Sequence, residues 1–292
     1  MNIERRMQIA FISILAFFSL IFSGTPLQAK PTVLVTIAPH KFFAEKIAGD
    51  TVDVQLMIPA GADAHTYEPT PRQVMSASTA DIWFFIGEAF ESRAKNALLT
   101  HKPSLLLVDM RQGVEMISAT SHCEHHHGCC HASGEDLHFW LSPKEAQQQA
   151  KTIASALIEK YPANTEFYKQ NLLQFLEELD ALDVKVREIL KDSKNSVIMV
   201  AHPAYAYFAR DYQLIQLPIE FEGKDPSPQQ LTKVIARARK ENIKTVFSQV
   251  QYPNKVAQLI ANEVNARVVI LDPYAEDYLC NVELIARHFA EN

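Results

Sequence analysis

TEFYKQNLLQFLEELDALDVKVREILK, residues 165–191, decides the fold. Its apolar positions Tyr168, Leu172, Phe175, Leu176, Leu179, Leu182, Val186, Ile189 and Leu190 step mostly by three and four. That spacing predicts one long amphipathic helix with a single apolar stripe. Pro162 precedes it, and Asp192-Ser193-Lys194-Asn195 follows it as a stop. At 1.5 Å per residue such a helix reaches roughly 40 Å, longer than a small domain is wide. It reads as a backbone helix joining two lobes; an ordinary long core helix of one domain is the plainer alternative.

The chain on either side of this helix alternates short β-branched runs with longer helical stretches. Before it, Val33–Ile37, Val52–Ile58, Ile82–Ile86 and Leu105–Val108 read as buried strands, separated by helical segments at His40–Ala48, Pro71–Ser78 and Glu91–Leu99. After it come strands at Val197–Ala201, Leu214–Leu217, Thr245–Phe247 and Val268–Leu271, with helices at Pro228–Glu241 and Tyr278–Ala290. Ser142-Pro143-Lys144-Glu145 and Ser227-Pro228-Gln229-Gln230 each offer an N-cap, a proline at the first helical position and a reciprocal Glu or Gln. Such alternation implies α/β lobes with parallel sheets flanked by helices. The expected division is a lobe over 30–163, a linking helix over 164–192 and a second lobe over 193–292.

Composition narrows the function. The chain has 292 residues, 48% of them hydrophobic, a formal charge of −6 and only 8 Gly. No two glycines lie two residues apart and none opens a G-x-x-x-x-G-K-[ST], so the glycine-built nucleotide cradles are absent. A mildly acidic chain without a long Lys/Arg run carries no footprint for nucleic acid. The N-terminus MNIERRM, the apolar run Ile9–Phe22 and Ala29 at a plausible cut read as a secretory signal peptide over 1–29. Its apolar run is short of the roughly 20 residues that span a bilayer. The mature chain is therefore expected to be exported and soluble.

Ligands of open parallel sheets bind beyond the carboxyl ends of the strands. His65 follows the strand near Val52–Ile58, His202 follows Val197–Ala201, and Asp272 follows Val268–Leu271. His138 lies just before the capped helix at Ser142. Three imidazoles and a carboxylate, all at turns leading into helices, make a tetrahedral N/O site for a divalent transition metal.

These residues sit in recognisable motifs. Gly61-Ala62-Asp63-Ala64-His65-Thr66-Tyr67-Glu68-Pro69-Thr70-Pro71 resembles the G-x-D-P-H-x-Y-E-P-x-P of the cluster A-I metal-binding solute-binding proteins of ABC transporters, with Ala64 in place of Pro. Asp136-Leu137-His138-Phe139-Trp140-Leu141-Ser142-Pro143 is similar to their D-P-H-x-W-L-S-P, with Leu137 in place of Pro. The segment His202–Leu214 resembles their H-x-A-(Y/F)-x-Y-F-x-x-x-Y-G-L, with Gln213 where Gly is usual, and Asp272-Pro273 resembles the aspartate near the last strand.

The resemblance covers the mature chain. It implies two α/β lobes, a connecting helix and a metal held in the interlobe cleft by His65, His138, His202 and Asp272, with water as the other candidate for the fourth position. Glu276 and Asp277 are nearby substitutes or plain solvated charges. A His at the third position tilts the family resemblance toward zinc rather than manganese or iron. It further implies a periplasmic monomeric receptor that delivers its ion to a membrane permease of an ABC transporter and performs no catalysis.

Competing readings are a secreted zinc hydrolase and a zinc buffer. No H-E-x-x-H, H-x-x-E-H or G-x-S-x-G occurs, which leaves Glu68 as the one nominee for a hydrolytic base. A buffer would rely on the His/Cys-rich loop at 119–135, where His122, Cys123, His125, His126, His127, Cys129, Cys130 and His131 crowd together as a secondary metal-collecting tract. The cysteines there suit a Cys123–Cys129 or Cys123–Cys130 disulfide as well as they suit metal thiolates. His40, His101 and His288 stand apart and read as surface or structural residues.

Overall fold

The computed structural model describes residues 30–118, 134–220 and 224–292. The expected signal peptide, and every His and Cys of the secondary loop from His122 to His131, lie outside the described residues. The first half runs β1 (Thr32–Val35), α1 (Ala38–Ala48), β2 (Asp53–Leu56), α2 (Pro71–Ala77), β3 (Ile82–Phe85), α3 (Ala89–His101), β4 (Leu106–Asp109), α4 (Pro143–Lys160) and α5 (Thr165–Ile189). The second half runs β5 (Val197–Val200), α6 (Ala206–Tyr212), β6 (Ile215–Pro218), α7 (Pro228–Lys240), β7 (Thr245–Gln249), α8 (Lys255–Val264), β8 (Arg267–Leu271) and α9 (Tyr278–Ala290).

Both sheets are parallel and share one topology, β2-β1-β3-β4 and β6-β5-β7-β8. Strands flanked on both faces by helices are buried on both faces. The central β3, Ile-Trp-Phe-Phe, and β7, Thr-Val-Phe-Ser-Gln, are buried at every position. In each sheet the winding reverses beside the first strand, and the carboxyl ends there open the crevice in which such folds bind ligands. The strands expected from sequence are all present, with ends displaced by up to about two residues.

The long helix spans Thr165–Ile189 and buries Tyr168, Phe175, Leu179, Leu182 and Val186. It packs against α1 and α4 on one side and α9 on the other, so it touches both halves of the chain. Phe43 of α1 stands edge-on to Tyr278 of α9 at 4.8 Å, with Phe175 of α5 at 5.3 Å. One buried apolar cluster continues from Val33, Trp83 and Phe43 through Phe175 to Tyr205, Phe247 and Phe289. The two lobes therefore meet over a shared hydrophobic core. A smaller cluster around Met199, Val234, Val246 and Ile260 fills the far side of the second sheet.

Helix α7 starts with the expected capping box: Gln230 N–H donates to Ser227 Oγ, and Ser227 N–H to the Gln230 side chain. At α4 half of the device is missing. Ser142 Oγ accepts from Glu145 N–H at 3.1 Å, but the Glu145 carboxylate does not reach back. It accepts instead from Arg210 of α6 at 2.7 Å, because an interlobe charge partner outcompetes a single backbone N–H. Among the described residues no helix is long and apolar enough to cross a membrane.

Candidate metal centre

Two of the three histidines are set by the same local device. Asp63 Oδ1 accepts the His65 backbone N–H at 3.0 Å, and Asp136 Oδ1 accepts that of His138 at 2.9 Å. An Asp that bonds the N–H two residues on forms a tight turn, and this explains Asp in both D-x-H motifs. Asp63 also accepts from Thr66 at 2.9 Å and from the Tyr252 hydroxyl of the other lobe at 3.1 Å. His138 then leads into a short 3-10 turn, Phe139–Leu141, ahead of α4.

His202, at the end of β5, is held differently. Gln249 of β7 accepts its N–H at 3.2 Å and donates to its carbonyl at 2.9 Å. The Tyr252 ring stacks on the imidazole at 5.0 Å with an interplanar angle of 27°. His138 and His202 are buried, and His65 is partly so.

Residues scattered over the chain thus converge. The Nε2 atoms of His65, His138 and His202 lie 3.3, 3.2 and 3.3 Å from one another. They form the one group of His, Cys, Asp or Glu among the described residues whose ligand atoms are mutually close enough to hold a metal ion. A tetrahedral ion with metal–nitrogen bonds of about 2.0–2.1 Å spaces its nitrogens about 3.3–3.4 Å apart. The triangle matches that spacing, with room for the ion about 0.8 Å above its plane by the same bond lengths.

On the other edge of each ring, Nδ1 faces a carboxylate. His138 Nδ1 is 2.8 Å from Asp136 and His202 Nδ1 is 2.7 Å from Glu220. His65 Nδ1 lies 3.1 and 3.3 Å from the two oxygens of Glu88. A carboxylate at Nδ1 keeps the proton there and leaves Nε2 as the lone-pair nitrogen, the tautomer that binds a metal.

Burial pulls the His65 imidazole down, but the Glu88 hydrogen bond and the charges of Glu88, Asp63 and Glu220 outweigh it and raise its pKa. In His202 burial prevails over Glu220, helped by the neighbouring His65 and His138, and the pKa falls.

Glu88 owes its place to a second buried carboxylate. Glu91 accepts from the backbone N–H groups of Ile86, Gly87 and Glu88 at 3.1, 2.6 and 2.8 Å, folding the end of β3 into a turn. Gly87 has φ +107, a conformation in which a Cβ would be strained and would also meet Arg111 at 3.0 Å. Burial pushes the Glu91 carboxyl up to about 7, against the hydrogen bonds from Thr36 and the turn.

The expected fourth ligand does not join the group. Asp272 Oδ1 accepts from Gln251 at 2.7 Å and from Tyr274 N–H at 3.0 Å, so that oxygen is engaged by the loops after β7 and β8. Glu276 pairs with Lys41 at 2.5 Å, and Asp277 caps α9. Glu68, nominated as a hydrolytic base, is exposed and pairs with Arg93. His40 is fully buried and bonds Gln149 at 2.7 Å, a structural residue of the core.

Sequence reasoning missed Asp136, Glu88, Glu220 and Tyr252. Asp136 was within reach, since D-x-H occurs at two of the histidines. Glu88 and Glu220 each follow a strand end by two or three residues, the same positional signal that singled out the histidines.

The family model of the periplasmic zinc-uptake complex component A matches residues 33–292. A putative metal-binding protein of Chlamydia muridarum is 34% identical over 282 residues, covering 96% of this chain and 98% of its own. The high-affinity zinc uptake system protein ZnuA of Bacillus subtilis is 30% identical over 247 residues, covering 82% of this chain and 77% of its own. Among solved structures, a crystal structure of ZnuA superposes with a TM-score of 0.83 at 37% identity, covering 90% of this chain and 98% of that one. The periplasmic zinc-binding protein TroA of Treponema pallidum shares the fold, with a TM-score of 0.78 at 20% identity over 90% of this chain and 99% of its own.

Proposed function

The chain belongs to the periplasmic zinc-uptake complex component A family, and on that premise we propose that it is a zinc-binding receptor feeding an ABC permease. In this reading a cleaved signal peptide over 1–29 delivers a monomer to the periplasm. His65, His138 and His202 hold the ion, and the lobes over 30–163 and 193–292, joined by the helix at 164–192, frame it. The ion is cargo: it is bound, carried and surrendered unchanged.

The observation that carries the reading is the convergence of three Nε2 atoms at 3.2–3.3 Å, each ring backed by a carboxylate. An all-imidazole shell suits zinc better than the oxygen-preferring manganese. The nearby charges of Glu88, Asp136 and Glu220 offset the ion's two positive charges in a buried site. The His/Cys tract at 122–131 is assigned a subordinate part, collecting zinc weakly and passing it on.

Zinc titration of the mature chain against a competing chelator tests the proposal. One tight site is expected, lost in His138→Ala and His202→Ala and retained when residues 119–133 are deleted. Manganese in excess should not displace the zinc. Tight binding that survives removal of all three histidines, or that disappears with the loop alone, would refute the receptor site and favour a loop-based buffer.

A further inference from the structure

Three imidazoles leave a tetrahedral ion one position short, and Asp272 is engaged elsewhere. Among the described buried polar groups left unpartnered around the site, Tyr274 carries the one neutral hydroxyl that is also packed on the ring next to His138. Tyr274, two residues beyond Asp272, is 9% exposed, and its hydroxyl is buried with no hydrogen-bond partner among the described residues. Its backbone is pinned: Tyr274 N–H donates to Asp272 Oδ1 at 3.0 Å, and Trp140 Nε1 donates to the Pro273 carbonyl at 2.8 Å. Its ring rests on Trp140 at 5.2 Å, and the Trp140 ring in turn lies 5.4 Å from that of His138.

The charges that act on the Tyr274 hydroxyl come from around the triangle. Glu88 backs His65, Asp136 backs His138, Tyr252 stacks on His202, and Asp63 orders the His65 loop; the charges of the three acids, with Asp272, act on the phenol, and Tyr274 acts on Tyr252. Burial and these negative charges keep the phenol protonated well beyond neutral pH. A neutral, buried oxygen therefore lies within electrostatic reach of the carboxylates that back the triangle, one ring removed from His138 through Trp140. Burying a hydroxyl without a partner costs stability and gains nothing unless the bound state supplies the partner.

We propose that Tyr274 Oη holds the water that completes the zinc shell, so that the fourth ligand is a tyrosine-held water and not the Asp272 carboxylate. A water bound to a dication is a strong donor, and the phenol oxygen is placed to accept from it. Tyr274 is thus a positioning residue acting through that water. The inference rests on the zinc-receptor reading above.

Tyr274→Phe keeps the ring on Trp140 and deletes only the hydroxyl. Three measurements on the mature chain test the inference: the zinc dissociation constant, the melting temperature without metal, and the visible spectrum after loading with Co2+. Expected are a loss of about tenfold in zinc affinity, an unchanged or higher metal-free melting temperature, and an altered Co2+ spectrum. The opposite signs of the first two separate this role from a structural one, in which both would fall.

Zinc affinity within twofold of wild type together with an unchanged Co2+ spectrum overturns the inference, as does loss of the tetrahedral Co2+ spectrum in Asp272→Asn. A wild-type chain that binds no zinc fails the receptor reading itself, a result distinct from either.

Discussion

The carboxylates behind the histidines give the sharpest quantitative test of the site. Consider Asp136→Asn, Glu220→Gln and Glu88→Gln, each of which removes a charge while keeping the side chain's size. The Asp136 and Glu220 oxygens lie 2.8 and 2.7 Å from Nδ1. Spanning the ring and a bond of about 2 Å puts each carboxylate about 6–7 Å from the ion. At an effective dielectric constant near 20, one negative charge there attracts a dication by about 5 kcal/mol, a ceiling on what its removal can cost. Losses measured for such outer partners run about 10- to 100-fold, or roughly 1.4–2.7 kcal/mol.

Charge alone predicts three equal losses, since the distances to the ion differ by only a few tenths of an ångström. Hydrogen bonding does not. The contacts of Asp136 and Glu220 are short and charge-assisted, whereas Glu88 reaches His65 at 3.3 Å through one oxygen and at 3.1 Å, too obliquely for a hydrogen bond, through the other. We therefore expect losses near 100-fold for Asp136→Asn and Glu220→Gln and nearer 10-fold for Glu88→Gln. Chelator competition at pH 7.5 reads the three constants, and metal-free melting curves check that each variant is folded. Equal losses, or a larger one at Glu88, would refute the claim that these carboxylates act chiefly by orienting the rings.

Three further outcomes are expected. Protons compete for the same Nε2 lone pairs, so zinc affinity should weaken as pH falls from 7 toward 5, with the raised His65 charging before the lowered His202; calorimetry giving a flat affinity would exclude a three-imidazole site. Burial lowers His40 to about 4 against 6.5 in the unfolded chain, so the unfolded state takes the proton first and stability present above pH 6.5 is lost as pH falls through 4. Urea unfolding without metal at pH 7.5 and 4.5 should show a pH-dependent loss about 2–3 kcal/mol smaller in His40→Leu than in wild type; identical losses would mean His40 titrates normally. Phe175→Ala should cost about 3–5 kcal/mol, because Phe175 is buried against Phe42 and Phe43 where the lobes share a core, and it should do so in a single transition; a two-step curve would show that the lobes unfold separately.

The sequence carried the fold because both of its periods were strong. Apolar spacing of three and four from Tyr168 to Leu190 admits one long helix, and uninterrupted runs such as Ile82–Phe85 admit buried parallel strands. The positions of the three histidines were legible from strand ends and motifs, but what faces each ring was not. Glu220 meets His202 only because β6 pairs beside β5, an adjacency set by sheet order and not by distance along the chain. Asp272 shows the same limit. Its place after β8 suits a ligand, yet Gln251, after β7, and the Tyr274 backbone both bond its Oδ1. A hydrogen-bond partner brought in by tertiary packing is invisible to spacing.

The distribution of contacts also differs among the three histidines. Separating the lobes as a hinge would uncover Phe43, Phe175 and Tyr278 together, and each aromatic side chain buries about 150–250 Å², worth several kcal/mol. His138 sits against this core, and His202 is clamped on its backbone by Gln249 from the central strand of its own sheet. The His65 loop is held across the cleft by polar links, the Tyr252–Asp63 hydrogen bond above all, and a single such bond contributes only about 1 kcal/mol. That polar link between the lobes therefore falls on the loop of the most exposed of the three histidines. The His65 loop is anchored in its own lobe by the buried Ala64 and by Tyr67 on Phe90, and that hydrogen bond ties it to the other lobe.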